Sequence, residues 1–109
     1  EKPTDLGERQ TTFIHTVRRT MAATLMENRT RFVDRCSKEV INQLLDDLLL
    51  DGIINDGEKE SILEENNSRA DKARNLVDVV RMKGDVPSMA LINHLQQRDP
   101  MLHALLLGL

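Results

Sequence analysis

The chain has 109 residues, 39% of them apolar, with a net charge of −3 and one cysteine, Cys36. That length suits one compact domain rather than two, and the acidic balance argues against nucleic-acid binding through a broad basic surface. One cysteine excludes an internal disulfide and favours a reducing compartment, and no apolar run reaches the ~20 residues of a membrane span.

Residues 1–20 carry Pro3, Gly7 and five Thr among scattered apolar positions. They read as a flexible N-terminal arm or linker, turning helical near Phe13 to Val17, with the domain proper at 21–109. Thr20 or Thr24 is placed to cap a first helix running to about Cys36, with Leu25, Phe32 and Val33 inward. Ser37 caps the second, where Glu39 lies early and favours the positive helix start. Ile41, Leu44, Leu45, Leu48 and Leu49 then repeat at i, i+3, i+4, i+7 and i+8, a broad apolar face, and Gly52 stops it. Asn55 or Asp56 caps a short third helix over 57–65 with Ile62 and Leu63 inward, broken by Asn66-Asn67. Ser68, with Asp71 three positions on, caps a fourth helix. Its inward residues are Ala73, Leu76, Val77 and Val80, and it ends at Gly84. Asp85 caps a fifth, with Pro87 tolerated in its first turn; either Met89, Ile92 and Leu95 or Ala90, Leu91 and Leu95 face inward. Asp99-Pro100 opens a sixth, with Leu102, Leu105, Leu106 and Leu109. Phe13 and Phe32 are the only aromatics, so Leu, Ile, Val, Met and Ala must build the core. Six short helices with tight loops, and no strand alternation or sustained heptad, predict an all-α antiparallel bundle.

Motifs for chemistry fail on spacing. With Gly57 at position 6 of a calcium loop, Gly52 and Leu63 fall at positions 1 and 12, where carboxylates are required. His15, His94 and His103 have no zinc spacing with each other or with Cys36, and read as surface or boundary residues. Cys36 lacks a nucleophile's context and reads as a half-buried structural thiol. There is no phosphate-binding glycine loop. No enzyme, cofactor or metal is expected.

The charges, by contrast, are sorted. Residues 18–38 carry six basic and two acidic groups, residues 46–65 eight acidic and one basic, and residues 66–83 five basic and two acidic. If the first and fourth helices are neighbours, the molecule has separate positive and negative faces. Two copies then dock through unlike patches, a contact that propagates instead of closing, and complementary charge steers the encounter. The alternative is plain solvation of a small domain.

Particular segments resemble a known family. Ile41-Asn42-Gln43-Leu44-Leu45-Asp46-Asp47-Leu48-Leu49 followed by Gly52-Ile53-Ile54-Asn55 resembles the second-helix region of caspase-recruitment domains (CARDs) from inflammatory caspases. Glu65-Asn66 and Asp71-Lys72-Ala73-Arg74-Asn75-Leu76-Val77-Asp78 resemble their fourth helix, and Lys83-Gly84 the turn after it. Arg98-Asp99-Pro100 and Leu107-Gly108-Leu109 resemble the last helix junction and domain end. The likeness spans about residues 22–109. It implies a six-helix Greek-key bundle of the death-fold type, a kinked first helix and homotypic assembly, with basic residues of helices one and four meeting acidic residues of helices two and three. Carried over, Arg29, Lys72 and Arg74 match basic positions and Asp46 and Asp47 the acidic pair. Thr30 and Arg31 reverse the usual order and Asp34 replaces a frequently basic residue, which shifts the basic face of helix one toward Arg31 and Arg35.

The expected function is CARD–CARD assembly of caspase-activating or inflammasome-type complexes in the cytoplasm, with self-association and without nucleic-acid or membrane partners. The basic patch is Arg29, Arg31, Arg35, Arg69, Lys72 and Arg74; the acidic patch is Asp46, Asp47, Asp51, Asp56, Glu58 and Glu60. Alternatives are a decoy that caps a partner's assembly, and the prodomain of an inflammatory caspase or tail of a larger sensor.

Overall fold

A computed structural model of the chain describes residues 21–65 and 68–107. Among them are seven helical segments and no strand: α1 over 21–27, α2 Arg29–Arg35, α3 Lys38–Leu50, α4 Asp56–Glu64, α5 Arg69–Met82, α6 Asp85–Arg98 and α7 Pro100–Leu107. The all-helical expectation holds, with seven segments where six helices were predicted. The difference lies in the span predicted as one first helix. At Asn28 (φ −102°, ψ 9°) the chain leaves helical geometry, and the Thr24 carbonyl accepts from both the Asn28 backbone N–H and its Nδ2, each at 3.0 Å. An Asn side chain bonding back onto the preceding turn competes with helix continuation, so α1 and α2 meet at a break. Thr24 sits buried inside α1 and caps nothing; Thr20, Asn66, Asn67 and Leu109 lie outside the described residues.

Three caps follow the sequence directly. Ser37 Oγ accepts from Val40 N at 3.1 Å and Ser68 Oγ from Asp71 N at 3.0 Å. Asn55 forms the reciprocal box with Glu58, each side chain accepting the other residue's backbone N–H. α3 ends in a Schellman turn: Gly52 N donates to Leu49 O, Ile53 N donates to Leu48 O, and Gly52 takes φ +77°. Asp85 is corrected: Gly84, at φ +117°, holds the N-cap position of α6, and Asp85 is the first helical residue. Its Oδ1 instead accepts from Ala22 N at 3.2 Å, tying the start of α1 to α6. Asp99 Oδ1 accepts from Leu102 N at the start of α7.

α5 is the centre of the bundle. Ala73, Leu76, Val77 and Val80 are all fully buried, and the helix packs against α2, α3, α4 and α6. α3 contributes Ile41, Leu44, Leu45 and Leu48, with Leu49 at the margin. On α6 the second predicted set is the inward one: Leu91 and Leu95 are buried with Ser88, whose Oγ donates to Gly84 O, and Met89 points out. Leu102 and Leu106 are inward on α7, whereas Leu105 is 43% exposed. His103, expected at the surface or boundary, and Cys36, expected half-buried, are both buried because α7 and the end of α2 close over the core; burial pushes the Cys36 thiol up to about 12, with the Asp99 carboxylate adding to it and Arg69 opposing. No described helix is long and apolar enough to cross a membrane.

Candidate functional site

α2 packs against α5, so two basic segments of the sequence share one side of the molecule. Their cations differ in what they do there. Arg29 places a two-pronged fork on Asp78 of α5, Nε to Oδ1 at 2.9 Å and Nη2 to Oδ2 at 2.8 Å, and Arg81 Nε joins the same carboxylate at 3.1 Å. These hydrogen bonds hold the Asp78 carboxyl below its usual range and raise Arg29. Arg69 Nη1 donates to the carbonyls of Val33 and Cys36, the latter at 2.8 Å, satisfying oxygens that the end of α2 leaves without helical partners. Arg74 pairs with Asp71 one turn back, at 2.5 Å. Arg31, Arg35, Lys38 and Lys72 have side chains without a polar partner among the described residues.

The acidic side divides in the same way. Asp47 accepts a fork from Arg98 of α6 (2.8 and 2.7 Å), and with a side chain only 14% exposed it offers little to another molecule. Those hydrogen bonds hold its carboxyl below the ordinary value, with the Arg98 and His94 charges adding to the shift. His94 Nε2 lies 2.5 Å from Asp51 Oδ2. Asp46 takes Lys59 Nζ at 2.8 Å but stays 66% exposed. Glu58 closes the α4 capping box and accepts Lys83 Nζ at 2.9 Å; its carboxyl is lowered, first by the Lys83 hydrogen bond and then by that from Asn55. Asp56 and Glu60 are exposed and stand at i and i+4 with Glu64, along one stripe of α4.

The structure thus engages Arg29, Arg69, Arg74, Asp46, Asp47, Asp51 and Glu58 within the molecule, leaves Arg31, Arg35, Asp56 and Glu60 exposed, and half-buries Lys72. Lys38 and Glu64 belong to the same exposed edges and were not among the sequence-predicted set; the i, i+4, i+8 spacing of 56, 60 and 64 was the available signal. Asp78, His94 and Arg98 were missed as partners, because they lie 43 to 51 residues away along the chain.

The sequence model of the caspase recruitment domain matches residues 22–109, and the chain belongs to that family. Among its relatives, Caspase-1-A of Xenopus laevis is 40% identical over 75 residues, 69% of this chain and 19% of that protein. Caspase recruitment domain-containing protein 18 of Homo sapiens is 37% identical over 83 residues, 75% of this chain and 92% of that protein. The chain therefore spans about a fifth of its caspase-1 relatives' length. In three dimensions it resembles the solution structure of ICEBERG, described as an inhibitor of interleukin-1beta generation. The TM-score is 0.72 at 36% identity, covering 78% of this chain and 94% of that one.

Proposed function

We propose that this chain is a homotypic interaction module in the cytoplasm, binding the recruitment domains of caspase-1-like proteins and further copies of itself, with no catalysis of its own. In this reading residues 21–109 form one six-helix Greek-key death-fold unit, α1 and α2 counting as a single kinked helix, preceded by an arm at 1–20. The observation that supports it best is family membership over residues 22–109, joined to cations on α2 and α5 and carboxylates on α3 and α4. The basic patch is Arg29, Arg31, Arg35, Arg69, Lys72 and Arg74, and the acidic patch Asp46, Asp47, Asp51, Asp56, Glu58 and Glu60. Complementary faces of this kind favour fast, partner-selective encounter. The test is a pull-down of the purified chain against isolated recruitment domains, caspase-1's among them. Capture that weakens with salt is expected; no capture by any member of the panel overturns the proposal.

A second reading is a decoy that ends a partner's assembly. The likeness to ICEBERG favours it, as does the engagement of Arg29 and Arg69 within the molecule, which weakens one of the two faces. Sub-stoichiometric addition to a polymerising partner discriminates: an activator seeds growth and a decoy arrests it. A prodomain or sensor tail remains a third assignment, decided by the full reading frame.

A further inference from the structure

The corner where α5 turns into α6 carries three exposed apolar side chains. Met82 ends α5 and is 77% exposed; Val86 is 79% and Met89 46% exposed on the first turns of α6. Val86 and Met89 stand at i and i+3, on one face of the helix, while Leu91 and Leu95 take the buried face. Apolar side chains grouped in this way on a small charged domain mark a contact surface.

The chain itself arrives at this corner. Ala22 N donates to Asp85 Oδ1 at 3.2 Å, which holds the N-terminal end of the described chain one residue from Val86. Residues 1–20 lie before it, outside the described residues. In their sequence Phe13, Ile14 and Val17 stand at i, i+1 and i+4, a spacing that a helical turn gathers on one face. Phe13 is one of two aromatics in the chain, and the other, Phe32, is already buried in the core. Five residues lead from Val17 to Ala22, a reach of up to ~17 Å. The corner is smaller than that, since Asp85 to Met89 covers about 6 Å of helix axis. Arg18 and Arg19 fall within this tether and bring positive charge toward the Asp85 carboxylate. A tether this short gives the arm an effective concentration on the order of millimolar, more than a second molecule reaches in dilute solution.

We propose that the Phe13–Ile14–Val17 face of the arm seats on Met82, Val86 and Met89 of its own chain. The contact is independent of the homotypic reading above. While the arm lies there, the α5–α6 corner is closed to other proteins.

The experiment is methionine oxidation of the full chain by dilute hydrogen peroxide, read by mass spectrometry, because a thioether's oxidation follows its exposure. Met101 is the internal reference. It is 84% exposed at the start of α7, beyond the far end of α6 and about 20 Å of helix axis from Asp85. In the wild type Met82 is expected to oxidise about threefold or more slowly than Met101, although their exposures in the folded domain are alike. Phe13→Asp/Val17→Asp brings Met82 to the Met101 rate, speeds Met89 and leaves Met101 unchanged, with circular dichroism to monitor folding. Should that variant lose helical signal, Phe13→Ser/Val17→Ser replaces it, with a smaller acceleration expected and none counting against the contact. Diluting the wild type leaves the protection intact; protection that disappears on dilution places a second copy on the corner and overturns the proposal. A wild-type Met82 that oxidises like Met101, or protection that persists in the folded arm variants, overturns it as well.

Discussion

Asp78 is the carboxylate on which the α2–α5 contact turns. It accepts Arg29 and Arg81 with a side chain 30% exposed, so solvent screens the pair in part. Hydrogen bonds to charged groups contribute roughly 1.5–3 kcal/mol when shielded and surface pairs below 1. Asp78→Ala is therefore expected to cost about 1 kcal/mol, a fall of roughly 5 °C in Tm, and a double-mutant cycle with Arg29→Ala should return most of it as coupling. The pH dependence has a definite sign. Asp47, Glu58 and Asp78 are lowered in the folded chain, so they stabilise it above the unfolded carboxylate range, and this is lost as pH falls below about 4. Thermal melts across that range should decline less steeply for Asp78→Ala than for the wild type. The Arg29–Asp78 and Arg98–Asp47 pairings could not be read from the sequence, because each joins residues far apart in the chain, whereas Arg81 reaches Asp78 within one turn of α5.

The helices themselves were far more legible. Ser37, Asn55 and Ser68 each precede an apolar-periodic run, and each accepts a backbone N–H two or three residues into its helix; local chemistry suffices for that. Gly52 is equally local. It holds φ +77° with nothing within 4 Å of an added Cβ, so the obstacle to a side chain is backbone conformation and not space. Gly52→Ala is expected to lose about 1 kcal/mol, measured by urea unfolding with an unchanged m-value. Where packing competes with propensity, local signals were silent, and the kink in the first helix was implied by the family resemblance alone. The break at Asn28 depends on a side-chain bond to Thr24 O and on α6 and α7 closing beneath it, where Thr24, Leu25, Asn28, Leu91, Leu95 and His103 line a cavity of about 20 Å³. That is room for about one water molecule.

For the whole molecule, the proposed function depends on long-range charge. Asp46→Lys alters an exposed side chain and Lys72→Glu a half-buried one, and together they remove at most one surface ion pair, Asp46 with Lys59. Both should fold normally, with melting curves close to the wild type. If the basic and acidic patches carry the proposed contact, each reversal weakens partner capture at low salt, read by the same pull-down. Raising ionic strength from 0.1 to 1 M shortens the screening length from about 10 to 3 Å. Assembly should fall accordingly, while the apolar core keeps the fold intact.

By itself the sequence determined the helical class, the caps at Ser37, Asn55 and Ser68, the inward face of α5 and the sorting of charge into blocks, because each depends on neighbours within a turn or two of the chain. The tertiary structure alone decided which charges stay available. Asp47 meets Arg98 and Arg29 meets Asp78 across about 50 residues of chain, and a charge is open to a partner only if folding has brought no closer counter-charge to it.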